Sequence, residues 1–167
     1  MIKKILISLL AFTFMISSVL AESKNRNDNS SNKSVKKNII SSFKSAENRI
    51  KKAKKLEKKN KTDKALKLYK EAFFFLKKAN LENPVDLDTL SYLGLTNSKL
   101  GNLEDAEIYY LLGLSLNPNH NGLNENLGEL YIVTKRIDLA KERLKVLKSC
   151  NCKEYNKLKE IIEYIKN

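Results

Sequence analysis

Apolar residues recur along this chain at spacings of three and four, the period of a helix with one buried face. Ile40, Phe43, Ala46, Ile50, Ala53 and Leu56 make one such stripe, which predicts a long helix from about Asn38. Leu103, Ala106, Tyr110 and Leu114 make another. Tyr155, Leu158, Ile161, Ile162 and Ile165 make a last one, and Asn151 followed by Glu154 reads as a capping box at its start. The pattern also repeats. Pro84 returns as Pro118, Leu93 as Leu127, Gly94 as Gly128 and Ala106 as Ala140, each pair 34 residues apart. A period of that size marks supersecondary units that cannot bury their apolar faces alone and must stack.

Within Leu87–His120 a Leu-Gly pair is followed by Gly101, Ala106, Tyr110 and Pro118. This skeleton resembles the tetratricopeptide repeat (TPR), a helix–turn–helix unit. Asn97 stands where that family usually has Tyr, and Gly113 where Ala is common. The unit from Asn121 keeps Leu127, Gly128, Tyr131 and Ala140, with Lys135 at the usual turn glycine and Cys152 in the proline position. A fainter unit is carried by Ala53, Leu56, Asn60, Ala65, Tyr69 and Ala72. The resemblance implies an all-α, TPR-type helical solenoid of three helix-turn-helix pairs plus a C-terminal capping helix. Its expected units are residues 46–79 with a second helix extended to about 83, then 87–120, then 121–151, with the cap over 152–166. Gly94 and Gly128 belong where helices cross closely, and Gly101 and Asn60 suit turns with positive φ.

In this family the first helix of each pair lines a concave groove that binds a protein or peptide segment. By position, the groove would show Ile50, Lys51, Lys54 and Lys58, then Ser91, Tyr92, Leu95 and Lys99, then Glu125, Asn126, Glu129 and Val133. One end reads basic and the other acidic. The family's clamp for a C-terminal carboxylate is matched only in part, by Asn126 and the lysines, and Glu125 and Glu129 would repel a carboxylate; that specificity is not carried over. The pair Cys150 and Cys152, followed by "CKEY", also resembles small exported alphaproteobacterial TPR proteins with a C-terminal cysteine pair.

Charge and the first residues add location. Lys3 and Lys4, the apolar run Ile5–Leu20 and the short residues before Glu22 form a signal-peptide pattern over 1–21. The segment is either cleaved on export to the periplasm or left as an inner-membrane anchor. Residues 22–38 hold a single apolar residue, Val35, and read as a disordered polar linker before a domain over 39–167. Residues 22–80 carry 19 Lys/Arg against 6 Asp/Glu, whereas 81–167 carry 11 against 13. The basic first half is a merely solvated face or, through the Lys-rich first helix with Lys51, Lys54 and Lys58, a contact for an anionic membrane surface, and export argues against nucleic acid. Two cysteines in an exported chain point to a disulfide, with free thiols and thiol or copper handling as alternatives. The one histidine, His120, has no nucleophile motif, carboxylate pair or metal spacing beside it, so it reads as a surface residue. No enzyme, cofactor or metal is expected.

Overall fold

The first helix starts well ahead of its apolar stripe. In the computed structural model, which describes residues 28–165, α1 runs Asp28–Glu57. Composition alone assigns its first third to a linker; the structure makes it helix. Once the packed part has nucleated the helix, each further residue adds a hydrogen bond at little cost, and no Pro or Gly interrupts the stretch. The signal-peptide reading of 1–21 lies outside the described residues, as do positions 22–27 of the linker and position 166 of the expected cap. The chain divides into two units, Met1–Lys36 and Lys37–Asn167, and the helical stack belongs to the second.

Among the described residues six more helices follow: α2 (Thr62–Glu82), α3 (Leu87–Leu100), α4 (Leu103–Leu116), α5 (Asn121–Val133), α6 (Ile137–Leu147) and α7 (Lys153–Tyr164). The echo in the sequence has a local cause. Within each helix pair the turn places one residue in the left-handed region: Asn60 at φ 56°, Gly101 at φ 85° and Lys135 at φ 62°. The next amide then reaches back five residues, from Lys61 to the Leu56 carbonyl (3.0 Å), from Asn102 to Asn97 (3.0 Å) and from Arg136 to Tyr131 (2.7 Å). These bonds satisfy carbonyls that the helix end leaves free. Between pairs, Asn83 and Asn117 end their helices in extended backbone, as residues before a proline must.

The proline turns lead into matched caps. Asp86 Oδ2 accepts from the Thr89 amide at 2.8 Å and caps α3. Thirty-four residues on, His120 Nδ1 accepts from the Leu123 amide at 3.1 Å and caps α5. His120 is therefore a capping residue, not simply a surface one. The buried Asn124 amide donates to the Pro118 and His120 carbonyls at 2.9 and 3.1 Å and fixes the same turn. The expected capping box at α7 does not form. Asn151 takes a left-handed φ of 46°, and Cys152 becomes the cap residue with no side-chain bond.

Small residues set the helix crossings. A Cβ on Gly94 would run into the Tyr110 ring of α4, and one on Gly128 would lie 2.5 Å from Leu158 Cδ2 of α7. Gly113 is accounted for in the same way, since a Cβ there would stand 2.7 Å from Leu123 Cδ1. Asn97 is fully buried; its amide donates to the Leu93 carbonyl at 2.9 Å and its oxygen accepts from Asn102 at 3.2 Å, so no polar group is orphaned. One core cluster gathers Ala46, Ile50, Ala53, Ala65, Tyr69, Ala72, Leu76 and Leu93. The other runs from Ala106 and Tyr110 through Leu127, Leu130 and Ala140 to Leu158 and Ile162 of α7. With 21 residues α2 is half as long again as the 14-residue α4, which accommodates the wider spacing between the first two units.

Arg136 ties the second pair to the third. Its guanidinium donates twice to Glu107 of α4, at 2.9 and 2.6 Å, and stacks over Tyr131 at 4.6 Å. The hydrogen bonds from Arg136, opposed by partial burial and helped by its charge, hold the Glu107 carboxyl below its ordinary pKa. A depressed folded pKa contributes stability above the unfolded value, lost as pH falls through the folded value. The melting temperature should therefore drop as pH goes below about 4.3, and Glu107→Gln should flatten part of that acid slope. A thermal-melt series from neutral pH downward, with equal slopes for both proteins, would refute this assignment.

Candidate concave site

The inner face is built from α1, α3, α5 and α7. On α1, Glu47 pairs with Lys51 at 2.9 Å. One turn on, Lys54 is exposed and has no carboxylate partner among the described residues. Its surroundings crowd out part of its hydration, and that desolvation, then the like charges of Lys157 and Lys99, lowers its pKa. Glu57 accepts from the Tyr69 hydroxyl at 2.8 Å and pairs with Lys99 of α3 at 2.8 Å. Burial is the largest single influence on Glu57 and pushes its pKa up, but the bonds from Lys99 and Tyr69 outweigh it and hold the carboxyl low.

Farther along, Tyr92 of α3 leans against Phe43 of α1, ring centres 5.6 Å apart. Burial, then the negative charge of Glu47, raises its pKa. Leu95, Ser98 and Lys99 of α3 face Asn126, Glu129 and Val133 of α5 across a cavity of about 250 Å³ floored by Leu103, Tyr110 and Leu130. At the far end the ammonium of Lys157 on α7 stands 2.6 Å from carboxylate oxygens of both Glu125 and Glu129.

The structure thus places Lys51, Lys54, Tyr92, Leu95, Lys99, Glu125, Asn126 and Glu129 on or beside one face. Three expectations change. Ile50 is 2% exposed and belongs to the core, because it falls on the buried stripe of α1. Lys58 lies in the turn after α1, exposed and away from these ion pairs. The acidic end is not a free pair of carboxylates, since Lys157 neutralises one charge and bridges both. Lys157 and Glu57 are site residues that the pattern along the chain did not single out. Lys157 belongs to the helix expected only to cover the core, yet α7 packs on α5 where the first helix of a further unit would sit, so its side chains reach the groove.

The sulfurs of Cys150 and Cys152 lie at bonding distance, with Cα atoms 5.2 Å apart, in the turn that leads to α7. Among the described residues no group of three His, Cys, Asp or Glu is placed to hold a metal ion, and no helix is long and apolar enough to cross a membrane.

No family model and no curated protein matches this sequence. Solved structures do match its fold. The second TPR domain of human RPAP3, in complex with the HSP70 peptide SGPTIEEVD, is 14% identical over 75% of this chain and 98% of that one, with a TM-score of 0.52. The Yersinia enterocolitica type III secretion translocator chaperone SycD is 15% identical over 72% and 88%, with a TM-score of 0.52. The Aspergillus fumigatus Sgt2 TPR domain is 16% identical over 72% and 78%, with a TM-score of 0.50. The chain has the fold of a tetratricopeptide-repeat protein, an all-α helical solenoid.

Proposed function

We propose that this chain is a non-catalytic interaction or scaffold protein of the cell envelope that holds a segment of a partner protein in its concave groove. The observation that carries the reading is the cavity between Leu95–Lys99 and Asn126–Val133, which has an apolar floor and charged walls. Apolar lining with a few placed polar groups is what a recognised segment needs. The RPAP3 domain, of the same fold, was solved with a peptide bound, which supports a peptide as the occupant here. Glu57 holds Lys99 on one wall, and Lys157 separately holds Glu129 and Glu125 on the other, so each wall is ordered by its own ion pairs. Envelope location rests on residues 1–21 of the sequence, and a mature N-terminus at Glu22, read by N-terminal sequencing, would support cleavage on export. In that oxidising setting Cys150 and Cys152 form a disulfide that fixes the entry to α7.

The test is affinity purification of the full chain from its own cells, beside Asn126→Arg and Val133→Arg. Both side chains line the cavity without belonging to the core. Each arginine should reduce recovery of a stoichiometric partner at least tenfold while circular dichroism stays unchanged. Undiminished recovery with both would reject the groove.

A further inference from the structure

The outer face of α2 is chemically unlike the rest of the solenoid. At 100° per residue, its exposed Leu66, Phe74 and Leu81 and its lysines Lys67, Lys70, Lys77 and Lys78 all fall within an arc of about 120°. That arc points away from Ala65, Tyr69, Ala72, Leu76 and Ala79, which are buried. Phe74 is 68% exposed and Leu81 80%, values that a soluble helix face does not require. None of the four lysines has a carboxylate partner among the described residues, and Asp63, in the first turn, is the only carboxylate in the arc. Residues 37–82 carry 15 Lys/Arg against 5 Asp/Glu, so no acidic neighbourhood offsets them.

We propose that this face of α2 docks on an anionic lipid surface, with the lysine ammoniums at the phosphate headgroups and Phe74 and Leu81 between the acyl chains. A helix in the interface plane presents this combination: apolar side chains that enter the boundary and flanking lysines whose long stems let the charges stay in the headgroup layer. Duplex nucleic acid would use the lysines but leave Phe74 and Leu81 in water. The outer face of α4 shows the contrast. Ile108, Leu111, Leu112 and Leu116 are exposed there, but α4 contains no lysine, so nothing on it selects an anionic partner. The lysines that accompany the groove, Lys51 and Lys54, belong to α1 and not to this face, and Lys54 lies among the groove charges of Lys99, Lys157 and Glu125. Docking through α2 therefore leaves the groove open and stands or falls independently of it.

The chain has no tryptophan, so Phe74→Trp in the full protein gives one fluorophore at the proposed contact. Vesicles of phosphatidylglycerol and phosphatidylcholine should shift its emission to the blue, and brominated acyl chains should quench it. Raised salt should reverse both effects, and phosphatidylcholine alone should produce neither. Lys70→Glu with Lys77→Glu in that background should weaken partitioning by about 30-fold or more, on the strength of each lysine near an anionic surface. Because the reporter reads only its own site, attachment through residues 1–21 would leave it unmoved. An unshifted emission while the protein sediments with vesicles would overturn the proposal. So would an equal shift with neutral lipid, or a shift produced by duplex DNA and not by vesicles.

Discussion

Tyr110→Ala should lower the unfolding free energy by about 3–5 kcal/mol, the usual loss for truncating a fully buried aromatic side chain. The ring is 1% exposed and fills the crossing of α3 and α4 where Gly94 leaves room for it. Burial, with the charges of Glu129 and Glu125 behind it, pushes the phenol pKa upward, as expected for a hydroxyl held out of water. A linked test separates this packing from a general loss of core. In the native protein Gly94→Ala should destabilise, because its Cβ meets the Tyr110 ring. In the Tyr110→Ala background the same change should be neutral or stabilising by about 1 kcal/mol, since the clash is gone and alanine favours the helix. Urea denaturation of the four proteins measures the cycle. Additive effects would show that the two positions do not meet.

Leu158→Ala should cost about 2–5 kcal/mol, with a spatial signature. Leu158 is completely buried and rests on Gly128, so its removal undoes the contact that docks α7 on α5. Stability in a stacked array is a sum of neighbour contacts. Amide hydrogen exchange should therefore accelerate in α7 and the end of α6 while α3 and α4 keep their protection. Lys157 moves with α7, so Glu125 and Glu129 should lose their shared cation and the groove should become more acidic at that end. Uniform acceleration along the whole chain would mean that α7 is not a separately docked cap.

Much of this architecture could be read along the chain because its determinants are local. Gly101 and Asn60 mark turns by their tolerance of positive φ, and Pro84 and Pro118 mark helix ends. The register itself also held a detail that residue type hid. His120 lies one period after the cap Asp86, and that spacing, more than its chemistry, identifies it as a cap. The charge pattern of the groove was less legible. Ile50 and Lys51 are neighbours in sequence, but one is core and the other faces the groove, a difference of 100° that stripe-reading alone blurs. Lys157 was hidden because its partners lie more than twenty-five residues away on α5, and long-range ion pairs leave no periodic trace. The outer face of α2 was hidden for the opposite reason. Its apolar residues joined those of the core in one hydrophobic run, "AFFFL", and only burial separates Phe74 from Leu76.

Whether the groove holds a partner segment is decided by site-specific photo-crosslinking in living cells. A benzoylphenylalanine in place of Val133, 66% exposed on the cavity rim, samples the groove, and one in place of Ile108, 61% exposed on the outer side of α4, is the control. Groove binding requires one discrete adduct from position 133, none from position 108, and loss of that adduct when Lys99→Glu and Glu129→Lys are introduced together. An adduct from position 108 alone, or one from position 133 that survives the charge reversal, would contradict it.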